Sequence, residues 1–315
     1  MKNSKLVVLG YGAVGQATVK LLHEKGMQVT VAQRTAPKDL PEGVSFKHCD
    51  ILSSESVDSC LQGFDQLVIA IGFEYKTQVW QKQWPIAMQN IIAASDKQGL
   101  RAVFVDNLYM YGPQENALHE EMQLSTHPGK PAVRATITRM WQEAVMTHGL
   151  KFTALRAPDF FGPKVLLSQL GEVVFGNLAK GGKAQFLVPL HQPHDFAYVP
   201  DIARAVDELL NAPNEDFGQV WHMPCAPTTN LQQLTEWGAQ SLGVEPKVMG
   251  LPLWVLRLLG LFWPLAKEIW DMRFQWDRPY YVNADKFKQR FAFTPTPFSE
   301  SIPATARSFD VAGSG

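Results

Sequence analysis

The chain opens with an uninterrupted apolar run at 6–9, closed by glycines. Over 13–25 the apolar positions Val14, Ala17, Val19, Leu21 and Leu22 follow with helical rather than alternating spacing. The pattern then repeats. Apolar or β-branched runs at 29–32, 45–47, 66–71, 102–105 and 152–155 read as strands, and 54–60, 85–97 and 133–148 read as helices. Strands alternating with helices of about 10–15 residues predict right-handed βαβ units and a parallel sheet.

The second half is less regular. Gly181, Gly182, Pro189, Pro193 and Pro200 mark loops. An amphipathic helix is predicted over 201–211, with Ile202, Ala205, Val206, Leu209 and Leu210 on one face. A strand over 220–223 is placed to return to the sheet. A helix over 231–242 has Thr228, Thr229 and Asn230 before it as capping residues. The most apolar stretch, 251–266, is interrupted by Pro252, Arg257, Gly260 and Pro264. It is shorter than the ~20 apolar residues that span a bilayer. It reads as a buried or lid-forming helix, with a membrane-surface contact as the other reading.

Composition narrows the class. The 315 residues carry 29 basic and 30 acidic side chains, a net charge of −1, which gives no global attraction to nucleic acid or to a membrane. Apolar residues at 46% with 19% charged lie outside the disordered range. Three cysteines, Cys49, Cys60 and Cys225, are too few for a disulfide framework or zinc knuckle, so a reducing, cytoplasmic setting is expected. Lys2 and Lys5 precede only four apolar residues before Gly10, too few for a signal-peptide core. Gly313, Ser314 and Gly315 read as an appended tail.

The strongest motif is Gly10-Tyr11-Gly12-Ala13-Val14-Gly15, which follows the first strand and opens a helix. Gly10 permits the tight turn, Gly12 lets a pyrophosphate approach the backbone, and Gly15 allows close packing of helix on strand. The N–H groups at the helix start then hold the anion. A dinucleotide site for NAD places an acid near the end of the second strand, on the ribose 2′-hydroxyl. No acid occurs between Lys25 and Lys38. Arg34, with Thr35 nearby, instead offers donors for a 2′-phosphate, so NADP is the expected cofactor and NAD the second choice. Asp50 and Ile51 follow the third strand, where they receive the adenine or, in the case of Asp50, cap the next helix. The expected fold is therefore α/β, a Rossmann-type doubly wound parallel sheet with a smaller C-terminal substrate lobe. The nucleotide-binding domain is expected over 1–165, with 190–225 returning to it, and the lobe over 166–189 and 226–312.

The sequence resembles the extended short-chain dehydrogenase/reductases, the NAD-dependent epimerase/dehydratase group, over nearly its whole length. The glycine turn carries the resemblance, together with Ala70-Ile71-Gly72 and with Val105 through Pro113, which includes Asn107, Tyr109 and Tyr111. Leu155-Arg156-Ala157-Pro158-Asp159-Phe160-Phe161, Asp195 through Ala205, Trp221-His222-Met223-Pro224 and Thr294-Pro295 continue it. The resemblance implies cofactor contacts from Ala70, Ile71, Gly72, Ala157, Pro158, Asp159 and Phe160. It also implies a Ser or Thr with a Tyr and a Lys four residues apart, the Lys lowering the Tyr pKa for proton transfer.

No Tyr-x-x-x-Lys occurs anywhere in the chain. The family's spacing puts Asn107, Lys130 and Arg134 at these positions. Arg134 can hold ribose hydroxyls but cannot relay protons near neutral pH. Lys130 is a general acid only if its pKa is strongly depressed. Tyr109 and Tyr111 are the other proton-donor candidates, and a site without any proton-transfer group is the third reading.

His191, His194 and Asp195 lack the spacing of a metal site, and none is expected. Asp195 orients its loop or touches substrate. Cys49 and Cys225 have no His in a recognisable nucleophile motif. Aromatics from Trp254 to Tyr281 read mostly as core, some lining a pocket that favours a bulky apolar substrate. Arg273 and Arg278 bind an anion there or form surface ion pairs.

The expected function is an NADP(H)-binding oxidoreductase acting on a carbonyl or alcohol carbon of an apolar small molecule. The alternatives are a non-catalytic NADP(H) sensor and an epimerase or dehydratase with transient hydride transfer. Proteins of the resembled family commonly form a homodimer through paired helices, which here would be 85–97 and 133–148, and the sequence does not assign their apolar faces to core or interface; no nucleic-acid or membrane partner is expected.

Overall fold

Leu6, Val7, Val8 and Leu9 are buried on both faces, which sets β1 (Lys5–Leu9) in the sheet interior. The computed structural model describes residues 4–309, so the Gly313–Gly315 tail lies outside them. β1 pairs in parallel with β2 (Gln28–Gln33) and β4 (Gln66–Ile69). β2 continues to β3 (Ser45–His48), and β4 continues through β5 (Arg101–Asp106) to β6 (Phe152–Arg156), all in parallel. β10 (Val220–His222) returns to the sheet as predicted, giving the order β10-β6-β5-β4-β1-β2-β3. The order reverses between β1 and β4, and in such sheets a ligand crevice opens at the carboxyl ends of those two strands.

Helix α1 (Ala13–Glu24) buries Gly15, Thr18, Val19 and Leu22, one stripe at helical spacing. Helix α2 (Ser54–Leu61) is capped by Ser53, whose Oγ accepts the Ser56 N–H at 3.3 Å. Asp50 is therefore not the cap. Its Oδ1 accepts the Leu52 N–H at 3.0 Å in the preceding turn.

Helix α3 (Thr77–Gln98) starts well upstream of the predicted 85, and Pro85 lies inside it. A proline at that point suggests a first turn. Burial of Trp80 and Trp84 offsets the hydrogen bond that Pro85 removes. Helix α4 (Lys130–His148) likewise starts before the predicted 133, with Pro131 in its first turn. Both helices stop on left-handed glycines, Gly99 at φ 65° and Gly149 at φ 69°. Trp80, Trp84, Met88, Ile91, Ile137 and Trp141 join Phe104 and Phe152 in one core. The main apolar faces of the two helices are spent in that core, and Ile86 and Met146 stay exposed.

The chain forms two compact units. The first comprises Met1–Gly112, Gln123–Arg156 and Ile202–Trp221, and the second Pro113–Met122, Ala157–Asp201 and His222–Gly315. Segments 157–165 and 190–201, expected in the nucleotide-binding domain, group with the second unit. Their pairing explains this, because β7 (Phe160–Phe161) runs parallel to β9 (Ala197–Tyr198). Segment 113–122 is held there by Leu118 N–H donating to Tyr281 O at 2.8 Å.

Within the second unit, β8 (Ala184–Phe186) pairs with β11 (Val248–Gly250). A π-helical turn over Gly171–Gly176 runs into α5 (Asn177–Ala179). Helices α7 (Leu231–Leu242) and α11 (Phe298–Arg307) enclose a core of Phe175, Phe186, Leu234, Trp276 and Ile302. Asn230 Oδ1 caps α7 by accepting the Gln233 N–H at 2.9 Å. Helix α6 (Val199–Asn211) begins ahead of the predicted 201, because Pro200 is tolerated in a first turn.

The stretch 251–266 is not one buried or lid-forming helix. It is α8 (Leu253–Leu259) and α9 (Pro264–Asp271), separated by Gly260 through Trp263. Helices this short each bury a single contact, Leu256 and Ala266, and leave Trp254, Phe262 and Trp263 at the surface. A last short helix, α10 (Asp285–Phe291), precedes α11. Among the described residues no helix is long and apolar enough to cross a membrane.

Candidate functional site

The glycine turn joins β1 to α1, and its three glycines do different work. Gly10 has φ +93°, and a Cβ there would fall 2.6 Å from Ala70 O. At Gly15 a Cβ would fall 2.1 Å from Gly10 O. These two are required by packing. Gly12 is different, because nothing lies within 4 Å of the position a Cβ would take. Gly12 also caps α1 without any side-chain hydrogen bond, and the first turn holds no acid. The N–H groups of Ala13, Val14 and Gly15 at the helix start lack intrahelical acceptors and lie at the positive end of the helix dipole. A cradle of this kind takes an anion.

Gln33 ends β2 at the point where an acid was sought, and sequence reasoning did not single it out. Its Oε1 accepts the Tyr11 N–H at 3.1 Å, and its Nε2 donates to Thr35 O at 2.7 Å. One amide thus ties the glycine turn to the strand end. The signal was its terminal position on β2. Arg34 and Thr35 follow it, both exposed. Ile51 packs against the core, and its carbonyl accepts from Asn90 Nδ2 at 3.0 Å, which leaves the Asp50 side chain in its turn. Across the switch point the Ala70 N–H donates to Leu9 O at 2.9 Å, Ile71 packs on the core, and Gly72 has open space at its Cβ direction.

The expected catalytic positions follow β5. Asn107 is half-buried, and its Oδ1 accepts the Tyr109 N–H at 3.0 Å. Tyr109 is half-buried and stacks on Trp80 with ring centroids 6.1 Å apart. Tyr111 is fully buried, and its hydroxyl accepts from Arg156 Nη1 at 2.6 Å. That bond fastens Tyr111 into the core, and its complete burial withdraws the hydroxyl from an open site. Lys130 is 1% exposed. Its Nζ lies 3.9 Å from the Tyr75 ring centroid and donates to Thr77 Oγ1 at 3.4 Å.

Arg134 does not present an open fork to a ribose. Its Nη1 donates to Asp106 Oδ1 at 2.9 Å, and its guanidinium lies 3.9 Å from the Trp84 ring centroid and 4.7 Å from that of Trp80. Arg156 Nε lies 3.9 Å from Asp106 Oδ2. One buried carboxylate thus answers two buried guanidiniums. Burial pushes the Asp106 carboxyl up, against the pull of Arg134, Arg156 and the Asn107 N–H. Sequence reasoning missed this cluster, although an acid ending the apolar run of β5 was a visible signal.

The second unit holds the other expected residues. Ala157 and Pro158 are buried, and Phe160 is exposed in β7. Asp159 Oδ2 lies 3.1 Å from His194 Nε2. The His194 ring stacks on Trp276 at 4.3 Å and on Tyr280 at 4.8 Å, with Nδ1 3.2 Å from Gln275 O. These contacts employ His194 in packing. Among the described residues no group of three or more His, Cys, Asp or Glu is arranged to hold a metal. Asp195 pins its loop, accepting from Thr228 Oγ1 at 2.5 Å and from the Val282 N–H at 2.7 Å. Burial pushes its carboxyl up. Arg278 pairs with Glu115 at 2.6 Å and Asp277 at 2.7 Å, while Arg273 donates to Trp270 O at 3.1 Å. Burial also pushes the Cys225 thiol well above its ordinary range.

A hollow lined by Lys5, His23, Gln28 and Lys47 opens at the amino ends of β1 and β2. That is the opposite sheet edge from the glycine turn, and ligands of such sheets bind at the carboxyl ends.

A parallel sheet with its order reversed at β1 and β4, and an uncapped glycine turn at that reversal, define a Rossmann-type protein. Residues 6–222 match the NAD dependent epimerase/dehydratase family, and the chain belongs to that family. No curated protein matches it. Among solved structures it is similar to the WbmH enzyme of Bordetella bronchiseptica in complex with NAD+, at 17% identity and TM-score 0.76, covering 98% of this chain and 99% of that one. UDP-glucose 4-epimerase of Thermus thermophilus with NAD gives 19% identity and TM-score 0.78, over 98% and 99% of the two chains. A double mutant of the dTDP-glucose 4,6-dehydratase DesIV of Streptomyces venezuelae, with NAD and DAU bound, gives 18% and 0.79, over 98% and 97%. At these identities the likeness establishes the fold.

Proposed function

We propose that the chain is an NADP(H)-dependent oxidoreductase of the extended short-chain dehydrogenase/reductase type, acting on a carbonyl or alcohol carbon of an apolar small molecule. The observation that carries the cofactor reading is the anion cradle at Gly12, followed at the end of β2 by Gln33, Arg34 and Thr35 without a carboxylate. The first-turn N–H groups of α1 hold the pyrophosphate, and Arg34 with Thr35 binds the 2′-phosphate. When bound, the nicotinamide supplies hydride acceptance or donation.

Tyr109 is the proton-bearing group this reading employs. It is half-buried where Tyr111 is sealed in the core. Lys130 and Arg134 shape the surroundings of Tyr109 through Trp80, which lies within 6.1 Å, 5.9 Å and 4.7 Å of Tyr109, Lys130 and Arg134 respectively. Arg273 and Arg278 already have carbonyl and carboxylate partners, which favours an apolar substrate over a diphosphate-bearing one. Family membership favours a second reading, epimerisation or dehydration with transient hydride transfer and no net cofactor turnover.

Calorimetric titration with NADPH and NADH tests the cofactor. NADPH binds more tightly, and Arg34→Ala weakens NADPH alone by about 1.5–3 kcal/mol, roughly tenfold to a hundredfold. Equal affinity for both nucleotides overturns the 2′-phosphate assignment, and no binding of either overturns the oxidoreductase reading. Net NADPH oxidation with an apolar carbonyl, lost in Tyr109→Phe, separates the first reaction from the second.

A further inference from the structure

Tyr109 opens a single 3₁₀ turn, Tyr109–Tyr111, and two contacts of different kinds fix it. Its N–H is one of the donors that the start of such a turn leaves without an internal acceptor. Asn107 Oδ1 accepts that N–H at 3.0 Å, an Asx turn built from two residues upstream. The Tyr109 ring stacks on Trp80, with the two planes 17° apart. One contact holds the backbone and the other holds the ring.

Both contacts lead back to one side chain. The Asn107 N–H donates to Asp106 Oδ1 at 2.8 Å, and the same oxygen accepts from Arg134 Nη1 at 2.9 Å. The Arg134 guanidinium lies 4.7 Å from the Trp80 ring centroid. Arg134, Asp106, Asn107, Tyr109 and Trp80 therefore form a closed ring of contacts within the first unit. Arg134, Asp106 and Trp80 are buried, whereas Asn107 and Tyr109 are half-buried at the open end of the ring. A core anchor that presents one partly exposed phenol supplies the fixed orientation that a reacting group needs.

We propose that Asn107 is a positioning residue that holds the Tyr109 phenol in place for proton transfer, acting through its acceptor Oδ1. This rests on the reading of Tyr109 as the proton-bearing group and gives that group its support. Sequence spacing places Asn107 among the catalytic groups, whereas its contacts set it one step behind them. The amide oxygen carries the role, and the Nδ2 donor does not.

The test compares Asn107→Ala and Asn107→Asp in the full chain. Aspartate keeps an acceptor oxygen and lacks the amide donor, and alanine has neither. Hydrogen exchange of the Tyr109 amide, followed by NMR, reads the bond without cofactor or substrate. Exchange speeds up by about tenfold in Asn107→Ala and stays slow in Asn107→Asp. With NADPH and an apolar carbonyl, kcat falls by about tenfold or more in Asn107→Ala at an unchanged KM for NADPH, and Asn107→Asp restores it. Equal exchange in wild type and Asn107→Ala overturns the proposal. So does loss of turnover in Asn107→Asp with the amide still protected, which would give Nδ2 a contact with substrate. Should Asn107→Ala fail to fold, an unprotected Tyr109 amide in the wild-type chain overturns it alone. A wild-type chain that turns over no carbonyl defeats the oxidoreductase reading, while the exchange series still decides whether Asn107 holds Tyr109.

Discussion

A Cβ added at Gly12 meets no atom within 4 Å, whereas one added at Gly15 falls 2.1 Å from Gly10 O. The two glycines therefore separate folding from binding. Gly12→Ala leaves the melting temperature unchanged, since Gly12 has φ −77° and an alanine adopts that conformation freely. It weakens dinucleotide binding by about tenfold or more, 1.4 kcal/mol, because the methyl group occupies the anion's approach. Gly15→Ala lowers the melting temperature, because a backbone oxygen cannot yield as a side chain can. Thermal melts with paired titrations check both outcomes. The roles of these glycines were legible in the sequence because they are local. Gln33 was not, because its partner Tyr11 lies 22 residues away and only the fold brings the two together.

At the scale of elements, the ends of β5, α4 and β6 are joined through Asp106, Arg134 and Arg156. Removing the shared carboxylate leaves two buried guanidiniums uncompensated. Asp106→Ala therefore destabilises the protein by about 3–5 kcal/mol in urea unfolding. The loop before α6 carries a pH signature. Asp195 has its carboxyl pushed above its ordinary value of 3.8 by burial, so the folded state holds that proton more tightly than the unfolded chain. Its contribution to stability is full below 3.8 and declines as pH rises through the raised value. Asp195→Asn flattens that part of the stability–pH curve, which melts across the acidic range measure. The part of Asp195 in its loop was legible at the residue, whereas the pairing of Asp106 with Arg134 and Arg156 was not, because it joins three elements far apart in sequence. The start of α3 was misplaced for a related reason: Pro85 signals a first turn locally, while the burial that carries the helix past it comes from Phe73 packing on Trp84 and Tyr109 on Trp80, both from outside the helix.

The whole molecule divides into two units with separate cores, one built on the parallel sheet and one on α7, α11 and the π-helical turn. Cofactor binding is linked to the stability of the unit that holds the glycine turn. If the chain binds NADPH as proposed, NADPH at about a hundred times its Kd raises the unfolding free energy there by about 2.7 kcal/mol. Calorimetric unfolding with and without nucleotide measures the increment, and a tenfold loss of affinity in Gly12→Ala cuts it to about 1.4 kcal/mol. By itself the sequence determined the βαβ order, the anion-binding turn, the missing carboxylate after β2 and the absence of Tyr-x-x-x-Lys. Each of these is a matter of residue type within a short span of chain. The tertiary structure decided that Tyr111 and Arg134 are tied into the core while Tyr109 keeps partial exposure. It also decided that the apolar stretch 251–266 lies largely outside. Burial and ion pairing depend on contacts between distant segments, and hydropathy along the chain does not reveal which apolar residues find a partner.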